Sequence, residues 1–325
     1  MDIIQDDINI ILDAVGNWLG SLRGMVNDGS IFFRVMLPLY VLMIVGEWAV
    51  YMYRHRDEWN GRDAWSNVAI SSMNMVFSVV SGVLLPFAVF YYIYSEWRLF
   101  TLPETGWGWL LAFLLHDFIY YANHWLSHRT GLLWAFHSVH HSSREFNFTV
   151  AARGTFLDEA QQAPFYALMP LLGVSPFQMV VINILTSLFG IFNHTRLVKK
   201  MGFFEHILET PSNHRVHHGT NPHYLDRNYG QVLVVWDKLF GTYQREEEEP
   251  DYGLITNINT YNPMRVQVAG FRWLWLQMQS ADRWPDKLRY LYKPPGWRHD
   301  GPGQTAEDIR RAHYKLRSET ATCDI

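Results

Sequence analysis

The sequence predicts an all-α fold, an integral membrane helical bundle that carries a histidine-rich two-metal site on its cytosolic face. Three observations predict it: long apolar segments recur in the first 200 residues, aromatic residues make up 16% of the chain, and eight histidines fall into three short clusters. Tryptophan and tyrosine concentrate at membrane interfaces. The mean hydropathy of −0.09 averages apolar and polar segments, so it does not argue against membrane spans.

Composition excludes several classes of protein. The formal charge of −4 gives no sign of nucleic-acid binding. The only cysteine is Cys323, which excludes a disulfide framework, cysteine-based zinc sites and a cysteine nucleophile near the histidine clusters. The first seven residues include three Asp and no Lys or Arg, whereas a secretory signal or a mitochondrial presequence would be basic there.

The chain divides into four predicted regions. They are an N-terminal amphipathic segment (1–30), transmembrane helices (31–123), a catalytic core (124–245) and a cytosolic or interfacial tail (246–325). Residues 3–25 and 267–284 have the apolar spacing of amphipathic helices, which either lie on the membrane surface or pack on their own domain.

Three apolar segments are predicted to cross the membrane, because a spanning helix needs about 20 residues. They are Val35–Tyr53, which includes Glu47, Val68–Tyr94, and Gly106–Ala122, which includes His116 and Asp117. The loop after the first segment holds Arg54, Arg56 and Arg62, whereas the loop after the second holds only Arg98. The positive-inside rule places the first loop in the cytosol, so the third span delivers the first histidine cluster to the cytosolic face.

A fourth apolar stretch, Ala163–Phe192, is interrupted by Pro170, Gly173 and Pro176. Two full crossings would need about 40 residues. A single crossing would put the following His194 on the opposite face from the first clusters. We therefore predict a hairpin of two short helices that enters the membrane and returns.

The histidine clusters point to a metal site. They are His124 with His128, then His137, His140 and His141, then His214, His217 and His218. Positions i, i+3 and i+4 share one face of a helix. An HxxHH pattern is expected by chance roughly 0.03 times in a chain with 15 histidines among 325 residues, and two occur here. Eight imidazoles exceed the needs of one metal, which favours a two-metal, all-nitrogen site.

The absence of Asp and Glu inside the clusters favours two irons that activate O₂, since hydrolytic two-metal sites commonly add bridging carboxylates. Imidazole alone would also suit Zn, Cu or Ni. No dinucleotide fingerprint or cysteine cluster supplies electrons, so the reductant is predicted to be external.

Carboxylates near the clusters are predicted to orient ligand histidines. Asp117 precedes His124 by two helical turns on the same face and is the first candidate. The others are Asp158, Asp226 and Asp237. His116 and His223 are predicted not to be ligands, because neither has a partner at cluster spacing.

These residues resemble a known family. The spacing Asp117-x6-His124-x3-His128, His137-x2-His140-His141 and His214-x2-His217-His218, followed by Asn228-Tyr-Gly and Trp236-Asp-Lys-Leu-Phe-Gly, is similar to that of the fatty acid hydroxylase / sterol desaturase superfamily. Flanking stretches such as Thr210–Gly219, Ile258–Pro263 and Pro295–Trp297 resemble its alkylglycerol monooxygenase branch. Three positions differ from the residues that are usual in the family: Trp125, Arg129 and Gly190.

The resemblance implies a membrane-bound, non-haem di-iron monooxygenase. Its ligands would be His124, His128, His137, His140, His141, His194, His214, His217 and His218. Reduced pterin is the electron donor of the alkylglycerol branch, and an electron-transfer protein is the alternative.

The predicted function is hydroxylation, with O₂, of a C–H bond in a lipid with an acyl, alkyl-ether or sterol chain. A lipid desaturase with the same irons, a membrane zinc metallohydrolase, and a non-enzymatic metal-binding or transport protein are the alternatives.

Overall fold

The computed structural model describes Gly24, residues 32–81 and residues 84–323. The described residues form helices joined by loops, and their only strand-like pairings are two isolated bridges, Leu208 with Leu233 and Gly219 with Tyr252. The prediction of an all-α fold is therefore confirmed for this part of the chain. Apart from Gly24, the predicted amphipathic helix over residues 3–25 lies outside the described residues.

The helices follow one another along the chain with short connections. They are α1 (Leu37–Arg54), α2 (Gly61–Ser81), α3 (Leu84–Glu96), α4 (Gly106–Arg129), α5 (Gly131–His141), α6 (Asp158–Tyr166), α7 (Leu168–Leu171), α8 (Pro176–Asn193), α9 (Pro211–His217), α10 (Val235–Leu239), α11 (Pro263–Gln267), α12 (Ala269–Gln279), α13 (Trp284–Tyr292) and α14 (Ala306–Cys323). A π-helical turn, Phe32–Met36, precedes α1, and 3₁₀ turns occupy Arg56–Glu58, Phe148–Val150 and Gly202–His206.

Two helical segments among the described residues are long and apolar enough to cross a membrane. They are Arg34–Arg54, with a mean hydropathy of 1.7, and Pro176–Asn193, with 1.4. The first contains the predicted span Val35–Tyr53. The predicted span Val68–Tyr94 is divided between α2 and α3, with residues 82–83 outside the described part. The full set of predicted crossings stays a prediction.

Helix α4 carries the first histidine cluster beyond the predicted third span. Thr105 caps its start by accepting a hydrogen bond from the Gly108 amide. The helix continues past Ala122 to Arg129, so His124 and His128 lie one turn apart on one face. Thr130 then takes an extended conformation, and α5 begins at the next residue.

Helix α5 is held in place by the C-terminal helices. Ala135 of α5 packs with Leu274, Ala281 and Tyr290 in a buried cluster. A side chain at Gly131 would overlap the carbonyl oxygen of Tyr290, so the close approach of α13 requires glycine there. The predicted amphipathic stretch 267–284 thus packs one face on its own domain, while Trp275 and Trp284 on the other side are exposed.

The region 163–192 differs from the predicted pair of short helices. The first arm begins earlier, at Asp158, and consists of α6 and α7, whereas the second arm, α8, is a full 18 residues long. The turn between them contains Gly173 at φ +89°, a conformation that favours glycine. The hairpin begins with the polar residues Asp158 and Glu159. Its start could therefore not be predicted from the apolar residues alone.

The hairpin packs against the first part of α4. Ala112 and Ile119 of α4 pack with Met169, Val174, Met179 and Ile182 of the hairpin. At the turn, the amides of Leu99 and Leu102 donate to the carbonyls of Leu171 and Gly173 over 2.8 and 2.9 Å. The turn therefore contacts the loop that precedes α4, while the end of α8 returns the chain to the histidine-bearing end.

Candidate metal centre

The structure brings all nine predicted ligand histidines into one buried region, as two adjacent groups. The first group consists of His124, His128, His137, His141 and His217, and the second of His140, His194, His214 and His218. Within each group the candidate ligand atoms lie within 4.8 Å of one another. The clusters converge from separate parts of the chain, as their spacing predicts.

Two short helices contribute to both groups. Helix α5 places His137 and His141 in the first group and His140 in the second. Helix α9 places His217 in the first group and His214 in the second. His218, the residue after α9, also belongs to the second group. Helix α9 begins where it does because Thr210 accepts a hydrogen bond from the Asn213 amide and Pro211 occupies the first helical position.

The Nε2 atoms of neighbouring histidines face one another at short range. In the first group the Nε2–Nε2 distances are 2.9 Å for His124–His137, 3.1 Å for His137–His141 and 3.1 Å for His141–His217. In the second group they are 3.2 Å for His140–His194 and 3.0 Å for His194–His214.

Backbone carbonyls fix which nitrogen carries the proton in four of the nine rings. The Nδ1 atoms of His124, His140, His194 and His217 lie 2.8, 3.0, 2.7 and 2.8 Å from the carbonyl oxygens of Tyr229, Arg153, Gly190 and Arg227. A carbonyl can only accept, so Nδ1 donates its hydrogen and Nε2 keeps a lone pair. These lone pairs point into the groups.

The arrangement fits two metal ions. Neutral imidazoles that turn lone pairs toward each other at about 3 Å repel unless a cation lies between them. Donors at that separation can each lie about 2.1 Å from one shared ion, the usual metal–imidazole distance. Among the described residues, Nε2 of His128 and of His218 is buried and has no hydrogen-bond partner, which also fits a role as ligand.

Burial favours the neutral form of eight of these imidazoles. Desolvation lowers the pKa of His140 to about 4, with a smaller opposing contribution from the carbonyl of Arg153. Desolvation, followed mainly by the neighbouring imidazoles, also holds the pKa of seven others well below the usual value; they are His124, His137, His141, His194, His214, His217 and His218. Neutral imidazole is the form that binds metals.

Two carboxylates lie beside ligand candidates. Asp226 Oδ1 is 3.3 Å from Nδ1 of His128. Glu209 is fully buried, with Oε1 3.9 Å from Nδ1 of His214 and no hydrogen-bond partner for either oxygen among the described residues. Asp226 was among the predicted candidates. Glu209 was not, although its place beside the Thr210 cap of α9 is a signal that could have found it.

The expectation that Asp117 orients a histidine is not met. Its carboxylate accepts hydrogen bonds from the amides of Val232 and Leu233 and from Nε1 of Trp236. His124 follows Asp117 by seven positions, about 10 Å along the helix axis, which is too far for direct contact. Asp117 instead anchors the segment that follows Tyr229, whose carbonyl faces His124.

The other sequence candidates lie around the groups. Asp237 accepts from the amides of Tyr229 and Gly230 at 2.8 Å each. Asp158 makes no hydrogen bond or ion pair with a histidine among the described residues and lines a cavity instead. His116 packs on Tyr166, with ring centres 5.0 Å apart, and His223 stacks on His313 at 5.5 Å; neither belongs to a group.

A cavity of about 250 Å³ opens beside the histidines. It contacts His124 and His137 of the first group and His140 of the second. Its remaining walls come from α2, α4, residues 151–156 and α6. A small molecule in this cavity would therefore lie next to both groups.

Comparison with known proteins agrees with the site. Residues 109–242 match the family model "Fatty acid hydroxylase". The chain is 35% identical over 285 residues to an alkylglycerol monooxygenase of Xenopus tropicalis, and this alignment covers 86% of this chain and 60% of that protein. It is 38% identical over 214 residues to the human alkylglycerol monooxygenase, and this alignment covers 66% of this chain and 47% of that protein. An ornithine lipid hydroxylase of Rhizobium tropici is 32% identical over 139 residues, 41% of each chain.

The chain spans about half to three fifths of the length of these alkylglycerol monooxygenases. No solved structure matches it. The matched region, 109–242, contains every histidine of the two groups. Residues 109–242 therefore match the fatty acid hydroxylase family, as the histidine spacing predicts.

Proposed function

We propose that the protein is a membrane-bound, non-haem di-iron oxygenase that hydroxylates a C–H bond of a lipid. The observation that carries the proposal is the pair of adjacent, all-histidine groups with inward-facing lone pairs. The nine histidines would hold one iron in each group. Neither group includes a carboxylate, which favours an oxygenase over a zinc hydrolase with a bridging carboxylate.

When bound, the irons would supply the activation of O₂. One oxygen atom enters the C–H bond, and the other leaves as water with two electrons and two protons. The residues around the site hold the ligands: carbonyls of Tyr229, Arg227 and Arg153 accept from Nδ1 atoms, and Asp226 and Glu209 lie beside His128 and His214. The electrons come from an external reductant, either reduced pterin or an electron-transfer protein.

The names of the similar proteins support a lipid substrate, since they are an alkylglycerol monooxygenase and an ornithine lipid hydroxylase. The two long apolar helices support a membrane location. We further propose several crossings, with the metal centre on the cytosolic side, because of the arginine asymmetry between the first two loops. Desaturation by the same metals is the second candidate, since it shares the ligand set.

The test is purification with bound metal, followed by reaction under ¹⁸O₂. We expect iron as the bound metal, and a lipid product that gains one labelled oxygen when reduced pterin or a reductase is supplied. Protein loaded with zinc serves as the control and should be inactive. A product that forms without O₂, or only with zinc, would rule out the oxygenase. An unlabelled, dehydrogenated product would favour the desaturase.

A further inference from the structure

Two segments that are distant in the sequence form one apolar patch on the surface. The 3₁₀ turn Gly202–His206 and helix α10 lie side by side, since the Val234 amide donates to the Ile207 carbonyl over 3.0 Å. Nζ of Lys238 also donates to the His206 carbonyl over 2.7 Å. The apolar patch consists of six large side chains that are 39–70% exposed: Phe203, Phe204, Ile207, Val235, Leu239 and Phe240.

The apolar patch continues one side of α4. Phe118, within the predicted third span, packs its ring on those of Trp236 and Phe240, with ring centres 5.1 and 6.2 Å apart. Phe118 shares a helix face with Trp107 and Leu111, which are also exposed. A contiguous exposed apolar surface marks contact with a membrane or another molecule. The apolar patch extends the surface that α4 would turn toward the lipid of the bilayer.

The exposed charges beside the apolar patch are all positive. Within residues 197–208 and 232–240, the two acidic residues, Glu205 and Asp237, are buried and accept hydrogen bonds from neighbouring amides and hydroxyls. The charged side chains that these segments expose are Lys199, Lys200 and Lys238. Lysines beside large apolar side chains fit the surface of a membrane that contains anionic lipids, because its negative potential attracts them.

A second copy of the chain fits this surface less well. In a two-fold symmetric contact the same patch of both copies is brought together. Lys199, Lys200 and Lys238 of the two copies would then approach one another, and neither segment exposes an acidic side chain to balance them. Like charges brought together at an interface are unfavourable, so the charges favour an anionic lipid surface.

We propose that the apolar patch inserts into the cytosolic leaflet beside α4, and that Lys199, Lys200 and Lys238 bind the anionic headgroups of phospholipids around it. Side chains in this position lie about 5–10 Å into the boundary between headgroups and acyl chains. The proposal rests on the proposed membrane location and not on the metal chemistry. It gives α10 a further role, because Asp237 of α10 accepts from the amide of Tyr229, whose carbonyl faces His124. The contact with lipid would thus fix the depth of the metal centre.

The depth of the apolar patch in the bilayer is the direct test. In the full chain with Cys323→Ser, Leu239→Cys is labelled with a fluorophore, and the protein is placed in nanodiscs of phosphatidylcholine and phosphatidylglycerol in equal parts. Quenching is measured with a lipid that carries a nitroxide near the headgroup end of its chain, and separately with a water-soluble quencher. We expect the lipid to quench the label at least about twofold more than at Ile255→Cys. Ile255 is nearly as exposed as Leu239 but lies outside the apolar patch.

Val45→Cys, at an exposed position of the apolar helix Arg34–Arg54, reports whether the protein spans the bilayer at all. Quenching by the lipid at Val45 but not at Leu239 would overturn the proposal and leave the membrane location standing. Quenching at neither position would remove both. Protection of Leu239 from the lipid and from the water-soluble quencher would assign the apolar patch to a protein contact, and this also overturns the proposal.

The lysines are tested through the lipids that they retain. Native mass spectrometry counts the phosphatidylglycerol and phosphatidylcholine molecules that stay bound to protein released from the same discs. The triple variant Lys199→Gln, Lys200→Gln and Lys238→Gln should lower the ratio of phosphatidylglycerol to phosphatidylcholine at least about threefold. The matched control removes the same charge from exposed side chains elsewhere, with Arg298→Gln, Arg311→Gln and Lys315→Gln, and should keep the ratio.

An unchanged ratio in the lysine variant, or an equal fall in the control, would overturn the binding of headgroups by these lysines. Thermal unfolding of both variants confirms that they are folded. The quenching and lipid-binding measurements need neither bound iron nor turnover. A failure of the proposed oxygenase is therefore seen separately, as a lack of ¹⁸O incorporation by protein whose apolar patch still contacts lipid.

Discussion

At the scale of single residues, the site depends on hydrogen bonds from ring nitrogens to backbone carbonyls. Tyr229, Arg227, Arg153 and Gly190 supply these acceptors through their main chain. Substitution of their side chains leaves the acceptor in place, so the ring orientation follows from the path of the backbone. A partner of this kind has no signature in the amino-acid sequence.

His194 offers the most selective test of the second group, because it lies on neither α5 nor α9. His194→Ala removes one of four candidate ligands and should weaken metal binding in that group by more than about tenfold, with the first group retained. Metal content of the purified variant checks this. His223→Ala is the control, since His223 is buried but belongs to neither group. Equal metal loss in both variants would contradict the assignment.

Asp226 permits a test of charge without a change of shape. Its φ is +54°, which asparagine tolerates well. Asp226→Asn should therefore keep the fold but weaken the interaction between residue 226 and Nδ1 of His128. We expect activity to fall about tenfold or more. Initial rates and thermal unfolding are measured together. Asp300→Asn, which breaks the exposed pair with Arg298, should leave activity unchanged; a similar loss there would refute the role of Asp226.

The lowered histidine pKa values predict how metal binding depends on pH. Since the pKa of His140 is about 4 and seven others are also lowered, the folded apo-protein carries few protons on its ligands at pH 6. Affinity for the metal should change less than about threefold between pH 7 and pH 6. Ordinary imidazoles, with a pKa near 6.5, would bind protons over this interval and lose affinity steeply. Calorimetric titration at both pH values distinguishes the two.

At the scale of the elements, α13 packs closely against the start of α5. Gly131→Ala would force a methyl group onto the carbonyl oxygen of Tyr290 and should lower the free energy of unfolding by about 1–3 kcal/mol. Thermal unfolding measures the effect. Gly106→Ala at the start of α4, where nothing lies within 4 Å, is the control. Equal behaviour of the two variants would show that this contact does not fix α5.

The sequence was informative about elements with regular spacing and less so about those without it. Helical spacing predicted which histidines share a face, and the structure places all of them in two groups. The partners of the rings lie in irregular segments, such as residues 226–230, where Asp226 and Asn228 have positive φ. No periodicity marks such a segment, so neither the carbonyl contacts nor the anchoring role of Asp117 could be predicted.

At the scale of the whole molecule, the hairpin 158–193 joins the loop before α4 to the metal centre. Its apolar residues predicted a hairpin, but the polar first turn at Asp158 and Glu159 lies outside any apolar window. That turn, with Gln161, forms one wall of the cavity. Hydropathy alone therefore underestimated the length of the hairpin and could not reveal that its polar end faces the histidines.

The proposed orientation predicts the accessibility of the loops from each side of the membrane. With Cys323 replaced by serine, no cysteine remains, so single cysteines can be introduced freely. Glu58→Cys, in the arginine-rich loop, should react only with cytosolic reagent, and Glu96→Cys only from the other side. Labelling of intact and permeabilised vesicles checks this. Reaction of both positions from one side would contradict the proposed crossings.

Helices α5 and α9 each contribute histidines to both groups, so the binding of the two proposed ions would be thermodynamically linked. The first ion to bind would fix the histidine side chains on both helices and so would carry most of the entropic cost of ordering them. The second then encounters a preorganised set of ligands and binds with higher affinity. Metallation should thus show positive cooperativity, with fewer chains that hold a single ion than independent binding would give.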